Sequence, residues 1–163
     1  MKKYMKTILP AGMIILCMAV IFGFSAQKSS ENNSVSIMVT EKVISRIFRN
    51  YDLQSVQVQE YVLYSMHIII RKLAHFLLYY ILGAVIYYTV FSSGRGIKTC
   101  FGFSLAIPFV YAVSDEFHQL FTDGRTARIS DVLIDSAGAL CGSLTIFLII
   151  AAVKYIKSEF KKN

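Results

Sequence analysis

Four apolar blocks of membrane-spanning length constrain the fold of this chain more than any other feature. They run from about residue 7 to 24, 73 to 91, 99 to 121 and 131 to 153. A bilayer core requires roughly 20 helical residues, and each block is near that length. Charged residues make up 17% of the chain, below the approximately 25% of soluble domains. The sequence therefore predicts an all-α membrane protein, a four-transmembrane-helix bundle forming a single domain over residues 1–163.

The positive charge of the chain predicts the orientation of this bundle. The formal net charge is +7, and lysines and arginines are dense in three short segments at residues 2–6, 95–98 and 154–162. Short basic segments stay in the cytoplasm, so both termini are predicted to be cytoplasmic in a multi-pass protein. The same placement argues against a nucleic-acid partner. The first block also resembles a cleaved signal peptide, but no clear cleavage site follows it, which favours a retained span.

The outer loop, residues 25–70, is predicted to contain one further helix. Between Met38 and Tyr51, apolar residues recur at helical spacing with charged residues between them. We expect an extracytoplasmic amphipathic helix in the membrane interface, between the first and second spans. A small soluble cap packed on the spans is the alternative. From Tyr51 to Met66 the alternation of residues also fits a strand, although a helical run into the second span is favoured.

Basic residues at the start of the second block share one helical stripe. His67, Arg71 and His75 are spaced four residues apart, so they lie on the same side of a helix. Arg71 and the neighbouring Lys72 also fit a simpler interpretation, in which long basic side chains extend to the lipid headgroups. That interpretation is favoured for Lys72. It is weaker for Arg71, because Arg71 shares its helical face with two histidines.

The end of the third block carries an acid and an imidazole on one face. Asp115, His118 and Gln119 are spaced i, i+3 and i+4, whereas Glu116 points elsewhere. A carboxylate beside a histidine can orient the ring and raise its pKa. The alternative is a pair that only fastens helices, an effect of about 1 kcal/mol in membranes.

A turn with two arginines precedes the fourth block. An Asp-Gly dipeptide at 123–124 predicts the turn, and Arg125 and Arg128 follow it. Ser130 is predicted to cap the next helix, with Asp131 in its first turn, where a carboxylate suits the helix dipole.

The fourth block combines a buried carboxylate with small residues. Asp135 lies one turn beyond Asp131 on the same face and needs a partner such as Arg71, Arg125 or a histidine. Gly138 and Gly142 have the GxxxG spacing, which favours close packing of this face inside the bundle.

No cofactor or metal is predicted. The three cysteines lie within apolar blocks and follow neither a disulfide nor a zinc pattern. Acidic and histidine side chains could together bind a divalent ion, but no His-Glu-x-x-His spacing is present.

The outer ends of the second, third and fourth spans are thus predicted to form one polar pocket. Its candidate residues fall into two roles. The candidate catalytic residues are His75, Asp115, His118 and Asp135, and the candidate ligand-binding residues are Arg71, Glu116, Gln119, Arg125, Arg128 and Asp131.

Three segments, "RKLAHFLLYYILG", "SDEFHQLFTDGR" and "ISDVLIDSAGALCG", occur in this order on successive blocks. In this the chain resembles the VanZ-like family of bacterial membrane proteins, over about residues 7–153. The resemblance implies an integral protein of the bacterial cell membrane and envelope. The founding member of the family is associated with low-level resistance to teicoplanin, which implies a contribution to glycopeptide or lipoglycopeptide resistance. Matching the polar positions of the family implies all of these candidate site residues except Arg128.

Three functions remain open at this point. The first is binding of lipid headgroups or lipid-linked cell-wall precursors at an outer-leaflet polar pocket, where cations suit phosphate. The alternative is an intramembrane enzyme that modifies a lipid-linked, phosphate-bearing envelope substrate, with histidine and aspartate as acid and base. The third is a structural role, in which the charges only hold helices together. The sequence leaves the choice between enzyme and binding protein, and the oligomeric state, undecided.

Overall fold

A computed structural model describes residues 2–26, 35–121 and 127–162. Within these ranges the chain forms α1 (Lys2–Ser25), α2 (Val35–Ile47), α3 (Val56–Ser92), α4 (Ile97–Gln119) and α5 (Ile129–Glu159). A single 3₁₀ turn, Tyr51–Leu53, lies between α2 and α3, and the described ranges contain no strand. The prediction of an all-α protein is therefore confirmed.

Three of the helices are long and apolar enough to cross a membrane. They are α3, α4 and α5, with 37, 23 and 31 residues. At 1.5 Å per residue α3 is about 55 Å long, whereas the hydrocarbon core of a bilayer is about 30 Å thick. Helix α3 thus begins well before the predicted second span, and the strand interpretation of its first residues was wrong. In α1 the apolar helical stretch is Pro10–Ser25, which is shorter than the stretches in α3, α4 and α5. The first of the four predicted spans therefore stays a prediction.

Helix α2 occupies the region where an amphipathic helix was expected but ends earlier. It stops at Ile47 rather than continuing to Tyr51. It packs against α3, and Thr40 and Ile44 are its fully buried residues, whereas Val39 and Ile47 are exposed. The predicted apolar stripe is thus only partly buried. The position of α2 in a membrane interface stays a prediction.

Small residues bring the backbones of α3 and α5 into close contact. A Cβ atom added to Gly142 would collide with the Tyr80 carbonyl oxygen, and one added to Gly138 would collide with that of Phe76. From the other side, a Cβ at Gly83 would meet the backbone of Ala139. The prediction that the GxxxG face packs inside the bundle is confirmed, and this contact is the most extensive between any two helices of the described chain.

Helices α1 and α4 complete the bundle around a shared core. The buried core residues are Ile21, Tyr79, Leu82, Ile86 and Ala112. Away from the core, Ser143 of α5 donates a hydrogen bond to the Ser104 hydroxyl of α4 at 2.9 Å. Polar links of this kind between helices have a modest effect, about 1 kcal/mol in a membrane. The register of the bundle therefore rests mainly on the close α3–α5 packing.

The substitution Gly142→Ala tests this packing. The added methyl group has no space against Tyr80, and overpacking of this kind destabilises by about 1–3 kcal/mol. We expect a lower midpoint of thermal unfolding, measured by size-exclusion chromatography of heated, detergent-solubilised protein. Gly102→Ala is the matched control, because the added Cβ meets nothing within 4 Å and alanine is the better helix former. Equal midpoints for the two variants would contradict the packing argument.

Candidate functional site

Polar side chains from four helices meet at one end of the bundle. The end of α1 and the end of α4 lie beside the first half of α3 and the start of α5. We refer to the following side chains as the polar cluster: Ser25, Arg71, Lys72, His75, Tyr79, Asp115, Glu116, Gln119, Asp131 and Asp135.

His75 of α3 faces Asp135 of α5. Its Nδ1 lies 3.7 Å from the Asp135 Oδ2, and the two side chains are only 12% and 4% exposed. The separation is long for a hydrogen bond, but it places the ring nitrogen beside the carboxylate. Asp135 was expected to need a cationic or histidine partner, and the structure supplies this histidine. The second nitrogen of the ring, Nε2, is buried and has no hydrogen-bond partner.

Asp115 is held by an amide rather than by a histidine. Gln119 Nε2 donates to Asp115 Oδ2 at 3.2 Å and to Ser25 Oγ at 2.8 Å, and all three residues are buried. The predicted Asp115–His118 pair is not formed, because His118 instead packs its ring on Phe22 of α1, with centroids 4.9 Å apart. Helical spacing places both side chains on one face of α4, but each of them meets a different residue of α1.

Glu116 joins the end of α4 to the beginning of α5. Its Oε2 accepts a hydrogen bond from the backbone N–H of Arg128 at 2.7 Å, and Glu116 is only 7% exposed. Arg128 occupies the N-cap position of α5, so the predicted capping by Ser130 was wrong. Ser130 lies in the first turn and donates to Asp131 Oδ1 at 3.2 Å. Asp131 lies in the first turn, as predicted.

Lys72 is a residue of the cluster that sequence reasoning assigned to the lipid surface. Its Nζ lies 2.6 Å from Asp131 Oδ1, with about two thirds of each side chain buried. The structure gives Lys72 a partner on α5, and its extension to lipid headgroups stays a prediction. Lys72 directly follows Arg71 in the sequence, so the two side chains lie on different faces of α3. This difference could have indicated that Lys72 contacts another helix.

Arg71 has no such partner. It is half-buried, and within residues 2–26, 35–121 and 127–162 no carboxylate lies within ion-pair distance of its guanidinium. The carboxylates of Asp131, Glu116 and Asp115 are near enough to act on it electrostatically. A guanidinium stays protonated in proteins and presents five N–H donors.

Tyr79 is a second residue that sequence reasoning missed. It continues the stripe of His67, Arg71 and His75 by one further step of four residues. Its side chain is fully buried, and its hydroxyl has no hydrogen-bond partner, although Asp135 and Asp115 lie in electrostatic range. By contrast, the hydroxyl of the adjacent Tyr111 donates to the Met18 carbonyl oxygen at 2.7 Å.

Three buried polar atoms in the cluster therefore have no partner: His75 Nε2, Tyr79 Oη and Asp115 Oδ1. Leaving a buried polar group unsatisfied costs about 1–3 kcal/mol each, and such groups in native proteins require an explanation. In the part of the chain that the structure describes, no three His, Cys, Asp or Glu side chains gather as a metal site. The arrangement suits hydrogen bonding to a polar group.

Comparison with known proteins assigns the chain to a family. The family model for VanZ/LLP1 matches residues 11–151. The chain belongs to the VanZ/LLP1 family. Searches of curated proteins and of solved structures found no match. Together with the three membrane-length helices, membership of the VanZ/LLP1 family indicates a membrane protein, and the predicted resemblance is confirmed.

The matched VanZ/LLP1 region contains the whole polar cluster and the three remaining candidate residues, His118, Arg125 and Arg128. Arg128 is exposed at the start of α5, where its backbone binds Glu116. Arg125 lies outside the residues that the structure describes. The structure thus brings seven of the ten candidates, together with Ser25, Lys72 and Tyr79, into the polar cluster. It places Asp115 and Asp135 in the interior, and Arg71, Lys72 and Asp131 nearer its edge.

Proposed function

We propose that this VanZ/LLP1-family protein binds the phosphate-bearing headgroup of a membrane lipid or a lipid-linked cell-wall precursor at the polar cluster. The observation that carries this proposal is the half-buried Arg71, which has no carboxylate at ion-pair distance in the described chain. A guanidinium presents five N–H donors in a fork that matches phosphate oxygens. Lys72 is engaged by Asp131, so Arg71 is the cation of α3 that is open to an anion.

The position of the cluster in the proposed topology places it at the outer leaflet. The cluster occupies one end of the bundle, and the basic segments 95–98 and 154–162 occupy the opposite ends of α4 and α5. Basic segments favour the cytoplasmic side. The polar cluster then faces outward at headgroup depth, and α2, which packs against α3, lies in the outer interface.

The same topology makes α1 the fourth span and puts both termini in the cytoplasm. Gln119 at the end of α4 bonds Ser25 at the end of α1, so the two helices end at the same level and run in the same direction. Tyr111 also bonds Met18 nearly two turns earlier in α1. This parallel pairing with α4 supports α1 as the fourth span.

Cysteine labelling tests this topology. Cys17, Cys100 and Cys141 are first replaced, and single cysteines are then introduced as Ser55→Cys before α3 and Ser93→Cys after it. Both serines are exposed. We expect a membrane-impermeant maleimide to modify the cysteine at 55 in intact cells and the one at 93 only after permeabilisation. The opposite pattern, or labelling of both in intact cells, would refute the proposed orientation.

Binding of a lipid-linked wall precursor would connect this activity to antibiotic resistance. Glycopeptides and lipoglycopeptides act on wall precursors outside the membrane. A protein that holds such a precursor, or a neighbouring lipid, at the outer leaflet can change the access of the antibiotic to its target. Resistance is thus proposed as a consequence of binding at the polar cluster.

Replacement of Arg71 tests the binding function. In Arg71→Ala we expect the affinity for phosphatidylglycerol and for a polyprenyl phosphate to fall about tenfold or more, because a charge-assisted hydrogen bond is lost. Native mass spectrometry of the protein in lipid-doped detergent measures both affinities. Arg95→Ala is the control, since it removes an exposed arginine at the other end of the bundle. Unchanged binding in Arg71→Ala would exclude the proposed anion site.

A second candidate function, an intramembrane enzyme, is favoured by one specific feature. The His75 ring has Asp135 beside Nδ1 and a buried Nε2 without a partner. A carboxylate in this position orients an imidazole whose other nitrogen can take or give a proton. In this case the substrate is a lipid-linked, phosphate-bearing envelope molecule, and Arg71 stabilises the charge of its phosphate.

Comparison of His75→Gln with the wild type tests catalysis. An enzyme that uses the His75 nitrogen should lose about 100-fold or more of its rate in this variant, because general acid–base catalysis contributes on that order. Lipid extracts of a deletion strain carrying each variant are compared by mass spectrometry. His67→Gln is the control, two turns away on the same helix. Lipid profiles of His75→Gln that equal those of both the wild type and the deletion strain would argue against an enzyme.

A further inference from the structure

The three unpartnered atoms at the base of the polar cluster define the chemistry that can meet them. Asp115 is bonded by Gln119 through Oδ2 only, so its Oδ1 is a free acceptor. In a neutral His75, the hydrogen belongs to Nδ1, which faces the Asp135 carboxylate, and Nε2 is then an acceptor. The Tyr79 hydroxyl can donate its hydrogen. The three unpartnered atoms are therefore two acceptors and one donor.

This set of atoms discriminates between the polar groups of a lipid. A phosphate only accepts hydrogen bonds, so it would face two acceptors and could use only the Tyr79 hydrogen. An ammonium group only donates, so it would leave that hydrogen unpaired. A hydroxyl group donates one hydrogen bond and accepts others. It is the headgroup function that can pair with Tyr79 and with Asp115 or His75 together.

The hydroxyl-binding atoms lie close to the proposed phosphate site but deeper in the bundle. His75 follows Arg71 by four residues on α3, and Tyr79 follows by eight, which corresponds to rises of about 6 and 12 Å along the helix. Tyr79 is fully buried and Asp115 is 4% exposed, whereas Arg71 is half-buried. A headgroup with its phosphate at Arg71 would thus extend its alcohol portion inward to these residues.

We infer that His75, Tyr79 and Asp115 form a second subsite, which binds a hydroxyl group of the headgroup. The ligand is then a hydroxyl-bearing phosphodiester lipid, in which the phosphate carries glycerol or a sugar-like alcohol. The inference rests on the proposed function, because it requires the phosphate to be held at Arg71. It adds selection among phospholipids of equal charge, which Arg71 alone cannot provide.

A set of lipids that differ only in hydroxyl groups tests this subsite. Phosphatidylglycerol and phosphatidylpropanol have the same charge and the same number of headgroup carbons, and phosphatidylinositol adds a sugar-like ring. Native mass spectrometry of the full-length protein measures their competition. We expect the wild type to prefer the hydroxylated lipids over phosphatidylpropanol about five- to tenfold, the effect of a hydrogen bond to otherwise unpaired buried groups. Preference for phosphatidylinositol over phosphatidylglycerol would assign a sugar-like alcohol, and the reverse would assign glycerol.

The variant Tyr79→Phe removes only the hydroxyl group and should abolish most of this preference. Its affinity for phosphatidylpropanol should remain that of the wild type, since Arg71 is intact. Tyr87→Phe is the matched control, a buried tyrosine two turns further along α3, and should keep the preference. The measurement on the wild type decides the question even if a variant folds poorly.

Two other results would overturn the inference, and they differ in what they leave standing. If the wild type binds phosphatidylglycerol and phosphatidylpropanol equally, and Arg71→Ala weakens both, the proposed function survives and water alone meets the three buried atoms. If neither lipid binds better than an uncharged diacylglycerol, the phosphate site itself is refuted and the hydroxyl subsite with it.

Discussion

The close approach of α3 and α5 is the constraint on which the rest of the structure depends. Glycines at 83, 138 and 142 let the two backbones touch where any larger residue would collide. With the helices this close, His75 lies opposite Asp135 and Lys72 opposite Asp131. The two pairs that join α3 to α5 thus follow from the close packing of these helices. A wider separation of the helices would leave Asp131 and Asp135 without these partners in an apolar bundle.

Most of the polar groups near this end of the bundle are satisfied by short, specific contacts. Glu116 accepts the backbone N–H of Arg128, the residue before α5, and Gln119 bonds to both Ser25 and Asp115. Isolated buried charges are expensive, but mutual pairing and hydrogen bonding offset much of that expense. The atoms that remain without partners are therefore informative. They belong to His75, Tyr79 and Asp115, and they are the basis of the proposed hydroxyl subsite.

The fold and the site were predictable to different extents. Hydropathy and block length anticipated three of the membrane-length helices, because burial in lipid requires long apolar stretches whatever the packing. Helical spacing anticipated which residues share a face, but it could not say what that face meets. Asp115 and His118 do share a face of α4, yet they meet different residues of α1. The His118 ring packs on Phe22, whereas Asp115 is linked to Ser25 through Gln119. Likewise the sequence favoured a lipid-facing Lys72, whereas the structure pairs it with Asp131 of α5.

By itself the sequence determined that the chain is helical, that it has membrane-length apolar segments, and that its ionisable residues gather near their ends. It also carried the pattern by which the chain belongs to the VanZ/LLP1 family. These properties depend on local composition and on the helical period, both of which can be read from the order of residues alone. Only the tertiary structure decided which carboxylate meets which cation and which buried atoms remain unpaired, including the Tyr79 hydroxyl. Those outcomes depend on the rotation and separation of neighbouring helices, which no single helix specifies.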